Sequence, residues 1–191
     1  MKRFSLTEND KIQLLRISRD TITSYLCSDT IPEIDKKLIS DCLMEKTGAF
    51  VTIKINGALR GCIGNMKSDK ELYKLIQHLV ISSASHDYRF MPVKKRELPG
   101  LSVEISVLTP MRKIKNIDEI EIGKHGIYLK KGHHTGTFLP KVAIETNWSK
   151  EEFLGHCARD KAHIGWDGWK GAEIFIFEAL VFSDVEYSEK Y

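Results

Sequence analysis

Apolar residues recur at helical spacing in four stretches of the chain. The four predicted helices cover about residues 7–27, 32–46, 69–83 and 150–161. The second is bounded by Pro32 and Gly48, residue types that favour the start and the end of a helix. The other three follow Ser-x-x-Glu sequences headed by Ser5, Ser68 and Ser149, in which serine and glutamate each satisfy an amide of the first turn.

Other stretches alternate apolar and polar residues, as half-buried strands do. Residues 50–55 and 58–63 flank Asn56-Gly57, a pair that favours a two-residue hairpin turn. In residues 101–108, Val103, Ile105 and Val107 fall on one face, which we expect to be buried. Further strands are predicted at residues 126–130, 137–144 and 172–182. Because helices and strands do not alternate regularly, we expect an α+β fold with helices packed on antiparallel sheets, in a single domain over residues 1–191.

The composition is that of a globular protein with a large core. The chain has 191 residues, of which 42% are apolar and 29% are charged, and its formal net charge is +3. Basic residues are spread among acidic ones, which argues against nucleic acid as the main partner. No stretch approaches the roughly 20 apolar residues of a membrane span, and the N-terminal residues turn acidic where a signal peptide is apolar. We therefore expect a cytoplasmic protein that does not engage a membrane.

The four cysteines are Cys27, Cys42, Cys62 and Cys157, and no two of them have the Cys-x-x-Cys spacing. In a cytoplasmic chain they are expected to be reduced thiols. No four ligand residues have the spacing of a metal site, so neither a metal nor a cofactor is expected.

The most unusual stretch is Gly57-Ala-Leu-Arg-Gly-Cys-Ile-Gly64. Its glycines either let the chain pack closely or leave the backbone open to a ligand. Arg60 is placed to bind an anion or to lower the pKa of Cys62, but the same two residues are equally compatible with an ion pair and a packed thiol. The sequence alone favours packing for Cys62 and keeps Arg60, Gly61 and Gly64 as candidate ligand-binding residues.

Three further stretches carry polar groups on predicted loops or helices. Asp87 and Arg89 follow the third helix, where they either pair with each other or bind a ligand, while His86 is expected to end the helix. His134 lies in a glycine-rich loop beside His133, and Glu145 follows it. We keep Asp87, Arg89 and His134 as candidate ligand-binding residues and Glu145 as a candidate catalytic acid or base.

The fourth helix combines polar and aromatic residues. His156 and Asp160 are spaced four apart, so they share one helix face. Trp148 is expected to pack back on the first turns of this helix, while Trp166 and Trp169 are expected to fill space over the last strand. A metal-binding role for His156 has little support, because His163 lies two turns away.

Several of these stretches occur together in one known family. The motifs that carry the resemblance are Leu59-Arg-Gly-Cys-Ile-Gly64, Asp87-x-Arg-Phe-x-Pro92, Leu101-x-Val-Glu-Ile-Ser-Val-Leu-Thr-Pro110, Gly136-x-Phe-Leu-Pro-x-Val-Ala-x-Glu-x-x-Trp148 and Phe153-Leu154. In this order they resemble the AMMECR domain family over about residues 10–182. Its prokaryotic members are often called AmmeMemoRadiSam system protein A.

The resemblance implies one domain with two closely packed lobes and a cleft near the Arg60–Gly64 motif. It also implies a prokaryotic setting beside a Memo-like protein and a radical S-adenosylmethionine protein, and it implies no established reaction. The chain departs from the family pattern at Tyr88, where proline is frequent, and at Lys141, where glutamine is common. Tyr88 lies between the candidate residues Asp87 and Arg89, and Lys141 lies in the motif that contains the candidate Glu145.

Two functions remain open at this point. In one, the chain is a binding component whose Arg60 and Arg89 hold a carboxylate, a phosphate or a partner protein. In the other, it is an enzyme that uses Cys62 as a nucleophile or thiol carrier, with Glu145 or His134 as the proton acceptor. The chain lacks a familiar catalytic motif or phosphate loop, which favours the binding component.

Overall fold

The computed structural model describes residues 5–187 and confirms the α+β class, with helices and two antiparallel sheets. The helices are α1 (Glu8–Ser28), α2 (Leu72–Ser85), α3 (Pro140–Thr146) and α4 (Lys150–His156). The strands are β1 (Ala49–Ile55), β2 (Ala58–Asn65), β3 (Leu101–Leu108), β4 (Arg112–Ile114), β5 (Gly126–Lys131), β6 (His134–Phe138), β7 (Glu173–Phe177) and β8 (Ala179–Ser183).

The chain forms two compact units. Of the described residues, one unit comprises 5–107 and 180–187, and the other comprises Leu108–Ala179. Their sheets have the strand orders β2-β1-β3-β8 and β4-β7-β5-β6. The predictions of a single domain and of a cleft between two lobes stay predictions.

In the first unit, α1 and α2 pack against each other, and α2 covers strands β1 and β2. The alternation predicted for residues 101–108 is confirmed, because Val103, Ile105 and Val107 are fully buried. Fully buried Leu14 and Ile76 belong to the same apolar core, in which α1 and α2 meet the sheet. Removing this apolar surface from water is the main source of stability of the unit.

The predicted hairpin is confirmed. Asn56 and Gly57 both have positive φ, at 49° and 82°, as a two-residue turn with the right twist requires. Gly61 pairs with Ile53, whereas Leu59 pairs with the next residue of β1, so Arg60 is an extra residue on β2. Such a bulge bends the strand and redirects the side chain that it carries.

The start of α1 is shifted from the predicted serine cap. Thr7 is the N-cap: its Oγ1 accepts from the Asp10 amide at 3.2 Å, and the Asp10 carboxylate accepts from the Thr7 amide at 2.8 Å. Asp10 is buried and also accepts from the Ser40 hydroxyl at 2.6 Å. This long-range bond favours Thr7 and Asp10 over Ser5 and Glu8 as the capping pair.

The other two predicted caps have different outcomes. Ser149 and Glu152 form the predicted capping box of α4. Before α2, the Ser68 hydroxyl instead accepts from the Lys70 amide at 3.0 Å and forms a tight turn. As a result Glu71 is the N-cap residue, and α2 begins three residues later than predicted.

The predicted helix over residues 32–46 is wrong. The structure has two short 3₁₀ helices, Lys36–Leu38 and Asp41–Met44. Asp35 caps the first by accepting from the Lys37 amide at 2.9 Å, and Ser40 is extended between the two. The segment is held by distant side chains, since the Gln77 amide group donates to the Pro32 carbonyl at 3.0 Å.

The second unit packs α3, α4 and the turn after α4 on one sheet. Its core consists largely of residues from β5, α4 and β7, including Ile127, Leu129, Phe153, Leu154 and Ile176. The strand predicted at residues 137–144 is wrong beyond Phe138, because Pro140 opens α3 as a first-turn residue. Proline has no amide to donate to a strand, and its fixed φ suits a helix start.

The strand predicted at residues 172–182 is two strands. β7 ends at Phe177, and β8 begins at Ala179 in the other sheet. Glu178 separates them: its amide donates to Thr109 Oγ1 at 2.8 Å, and its carbonyl accepts from the Thr109 amide at 2.9 Å. The pairing with Thr109 thus marks the point at which the chain passes from one sheet to the other.

Candidate functional site

The Arg60–Gly64 motif lies on β2, beside β1. Cys62 is opposite Thr52, so these two side chains share one face of the sheet. Gly61 and Ile63 occupy the opposite face, which α2 covers. The motif is therefore part of the edge strand of the first unit's sheet, which α2 covers on one face, rather than a free loop.

The two glycines of the motif allow close packing. A Cβ at Gly61 would clash with the backbone carbonyl of Ser83 on α2, and a Cβ at Gly64 would clash with the Phe50 ring. The Ser83 hydroxyl reinforces this contact, because it accepts from the Ile63 amide at 3.0 Å and donates to the Val51 carbonyl at 2.8 Å. Packing accounts for both glycines, and their predicted role in ligand binding stays a prediction.

An ionic network around the buried Asp87 carboxylate ties the motif to the segment after α2. The Asp87 carboxylate accepts from the Cys62 amide at 2.8 Å and from Arg89 Nε and Nη2 at 2.9 and 2.7 Å. Arg89 Nη2 also donates to the Cys62 carbonyl at 3.2 Å. The hydrogen bonds from the Arg89 side chain, followed by that from the Cys62 amide, hold the pKa of Asp87 well below its usual range. Asp87 is therefore a charged anchor for β2.

Arg60 is held by a second set of contacts. Its guanidinium forms an ion pair with Glu97, at 3.0 Å from Nε to Oε1, and donates to the carbonyls of Met91 and Pro92. The hydrogen bond from the Lys94 amide, with a smaller contribution from Arg60, lowers the pKa of Glu97. The bulge thus directs Arg60 toward residues 91–97, where its donors fix the backbone. Anion binding by Arg60 stays a prediction.

The thiol of Cys62 is half-buried and has a hydroxyl partner. Thr52 Oγ1 donates to Cys62 Sγ at 3.2 Å. The other thiols differ: Cys27 is exposed, Cys42 is half-buried and Cys157 is buried. Burial raises the pKa of Cys42 and raises that of Cys157 to about 12, so neither forms a thiolate readily at neutral pH.

The loop between the two anchors presents large apolar side chains to solvent. Tyr88 is 97% exposed and Met91 is 76% exposed. Between them, Arg89 stacks on Phe90, with 5.4 Å from the guanidinium carbon to the ring centre. The sequence reasoning missed this surface, although Tyr88 in place of the frequent proline was a signal for it.

His134 and Glu145 belong to the second unit. His134 opens β6, where it pairs with Lys131 across a two-residue turn, and it is exposed. Glu145 is exposed on α3. Their predicted roles beside Cys62 therefore stay predictions.

An aromatic cluster lies around α4. The sequence analysis named its tryptophans but did not predict their contacts with His156. The Trp148 ring stacks on His156 with 3.8 Å between ring centres, and the Trp166 ring meets His156 edge-on at 5.0 Å. Trp148 therefore packs against the last residue of α4, and its predicted packing on the first turns stays a prediction. His156 Nδ1 lies 3.0 Å from Asp160 Oδ2, as the four-residue spacing predicted, and Arg159 pairs with Asp160. The chain here turns as a short π-helix, Cys157–Lys161.

Residues 5–187 contain no group of three or more His, Cys, Asp or Glu side chains arranged to hold a metal ion. None of the helices in the same residues is long and apolar enough to cross a membrane.

Comparisons with known proteins agree with the resemblance carried by the motifs. The AMMECR1 family model matches residues 15–182. The chain is 40% identical over 189 residues to a protein of Methanosarcina barkeri, which covers 95% of this chain and 93% of the relative. A protein of Methanocaldococcus jannaschii is 34% identical, with coverage of 95% and 93%. The crystal structure of an uncharacterized protein from Pyrococcus horikoshii superposes with a TM-score of 0.85 at 34% identity and covers 93% of both chains. The chain belongs to the AMMECR1 family.

Proposed function

We propose that this chain is a partner-binding component that acts in the cytoplasm with a Memo-like protein and a radical S-adenosylmethionine protein. The observation that carries the proposal is the loop of residues 88–91, in which Tyr88 and Met91 are exposed although the backbone is fixed on both sides. The choice of partners follows from the resemblance to AmmeMemoRadiSam system protein A.

The fixed backbone of this loop is the first support. Asp87 holds its start, since Oδ1 accepts from the Arg89 amide at 3.2 Å. Arg60 binds the carbonyls of Met91 and Pro92, and the Val93 amide donates to the Ala84 carbonyl at 2.8 Å. A loop that is ordered before binding loses little conformational entropy when a partner docks.

The chemistry of the exposed side chains is the second support. Aromatic and methionine side chains are enriched at the centres of protein interfaces, where they bury large apolar areas. Tyr88 adds a hydroxyl that a partner can bind, and the neighbouring Arg89 adds a partly exposed guanidinium. In this proposal Arg60, Asp87 and Arg89 shape the surface that the partner meets.

The proposal is tested by co-expression with the Memo-like and radical S-adenosylmethionine proteins of the source genome, with and without S-adenosylmethionine. Affinity purification of the wild type should recover at least one of them. The double variant Tyr88→Ser/Met91→Ser should lose that partner. The matched control is Ile31→Ser/Leu38→Ser, which removes two apolar side chains that are 59% and 74% exposed on the same unit. Recovery of neither protein by the wild type, or equal recovery by all three chains, would refute the proposal.

One observation favours the enzyme as a second candidate. The Thr52 hydroxyl donates to Cys62 Sγ at 3.2 Å and holds a half-buried thiol in a defined position, as a nucleophile requires. In that function Cys62 would be the nucleophile that attacks an anionic substrate.

Alkylation separates the two candidates. An activated Cys62 should react with iodoacetamide faster than exposed Cys27 in the native protein, and Thr52→Val should slow that reaction while leaving Cys27 unaffected. Labelled positions are read by peptide mass spectrometry. Modification of Cys62 only after unfolding would remove the nucleophile from consideration.

A further inference from the structure

A polar pocket lies where β2 gives way to α2. It has a volume of about 320 Å³, and its lining includes Asn65, Lys67, Ser68 and Lys70 from the connection and His78 from α2. The tight turn that Ser68 forms with the Lys70 amide shapes one wall. The pocket is separate from the loop to which the proposed function is assigned.

The charges of the lining are unbalanced. Neither Lys67 nor Lys70 forms an ion pair within the described part of the chain. Glu71, the neighbouring acid, already pairs with Lys36 at 3.7 Å and with Lys74 at 3.1 Å. Asp69 is the one carboxylate among the residues that line the pocket. Two lysines therefore face one aspartate, and protonation of His78 adds a further positive charge.

The pKa of His78 is consistent with this excess of positive charge. Burial, followed by the positive charges of Lys70 and His86, lowers the pKa of His78. An anion in the pocket offsets the repulsion from Lys70, so its binding is expected to favour the protonated imidazole. The groups that set this balance are Lys67, Asp69 and Lys70 from the connection and His86 from the end of α2.

We propose that the pocket formed by Lys67, Ser68, Lys70 and His78 binds the phosphate group of a small phosphorylated molecule. Two ammonium groups supply charge, while the Asn65 amide and the imidazole supply neutral or protonated donors, the mixture that phosphate recognition uses. The Ser68 hydroxyl, which donates to the Lys70 carbonyl at 3.4 Å, holds the turn that shapes the pocket. A phosphate group also requires the pocket to be open, and the exposure of both lysines permits entry.

Calorimetric titration with inorganic phosphate tests the site in the full chain. The wild type should bind saturably, and Lys67→Gln/Lys70→Gln should weaken binding by about tenfold or more, because two charge-assisted contacts are lost. The control Lys94→Gln/Lys95→Gln removes the same charge from an exposed segment of the same unit and should change binding by less than about twofold. Thermal unfolding of each variant checks that these surface changes leave the fold intact.

Sulfate remains a dianion between about pH 5 and pH 8, where histidine titrates, so any pH dependence of its binding reports protonation of the protein and not of the ligand. Sulfate should bind the wild type more tightly at the lower pH, and His78→Gln should remove most of that dependence. Three outcomes would overturn the proposal: no saturable phosphate binding by the wild type, an equal loss in both lysine pairs, or unchanged binding by Lys67→Gln/Lys70→Gln.

Discussion

The protein contains two aspartate–arginine pairs of similar geometry in different surroundings. Asp87 and Arg89 lie 2.7 Å apart in the first unit, and Asp160 and Arg159 lie 2.5 Å apart in the second. The Asp87 side chain is 4% exposed, whereas the Asp160 side chain is 41% exposed. Asp87 also accepts backbone amides from Cys62 and Arg89, while the Asp160 carboxylate bonds only to side chains among its described partners. Burial and backbone contacts, rather than ion-pair distance, distinguish a carboxylate whose loss destabilises the fold from one whose loss has little effect on stability.

The largest expected effect is that of Asp87→Ala. The variant leaves the Cys62 amide without its acceptor and removes the partner of Arg89, so it should lower the free energy of unfolding by about 2–4 kcal/mol. Urea denaturation followed by circular dichroism measures this change. The matched Asp160→Ala should leave the urea midpoint almost unchanged. Equal shifts of the urea midpoint in the two variants would show that burial does not make the Asp87 pair more important for stability than the Asp160 pair.

Acid sensitivity sharpens the same comparison. The folded-state pKa of Asp87 lies below the unfolded value of about 3.9, so its stabilisation is present above that value and is lost as pH falls through the folded pKa. The difference in stability between the wild type and Asp87→Asn should therefore shrink as pH falls below about 4. The measurement is a series of urea titrations at decreasing pH. A difference that grows in acid would contradict the assigned sign.

Lysine substitution of the arginines should have a smaller effect. Lysine keeps the charge but loses the fork that lets Arg89 bind both oxygens of Asp87 and the Cys62 carbonyl, so Arg89→Lys should cost about 1 kcal/mol. Arg159→Lys should leave thermal unfolding unchanged, because the pair that it forms with Asp160 is exposed. Differential scanning calorimetry of the two variants provides the test, and a larger shift for Arg159→Lys would count against it.

The sequence predicts those elements whose causes are local. Asn56-Gly57 defines its turn through backbone preferences alone, and Ser149 with Glu152 caps α4 within one turn. The alternation of β3 is equally local, since Val103 and Ile105 point to the same face.

Other features depend on residues that are distant along the chain. The segment over residues 32–46 departs from a helix where Gln77 binds Pro32, and the last strand divides where Glu178 meets Thr109. Neither contact has a periodic signature.

The candidate site follows the same rule. The pairing of Asp87 with Arg89 could be predicted, because the two residues are two positions apart in sequence and complementary in charge. The packing role of Gly61 could not, because it depends on the carbonyl of Ser83. Similarly, the ion pair of Arg60 with Glu97 depends on a bulge that directs the side chain away from its regular position on the strand.

The division of the last strand at Glu178 has a consequence for the order of the two units along the chain. The second unit, Leu108–Ala179, is one continuous segment, and residues of the first unit lie on both sides of it in sequence. Its two ends are joined by the hydrogen bonds between Thr109 and Glu178, so the segment enters and leaves at neighbouring points. This is the topology of a domain inserted into another domain, whose two segments would be joined directly if the insert were removed. Adjacent ends allow such a segment to be inserted or removed without stretching the host chain.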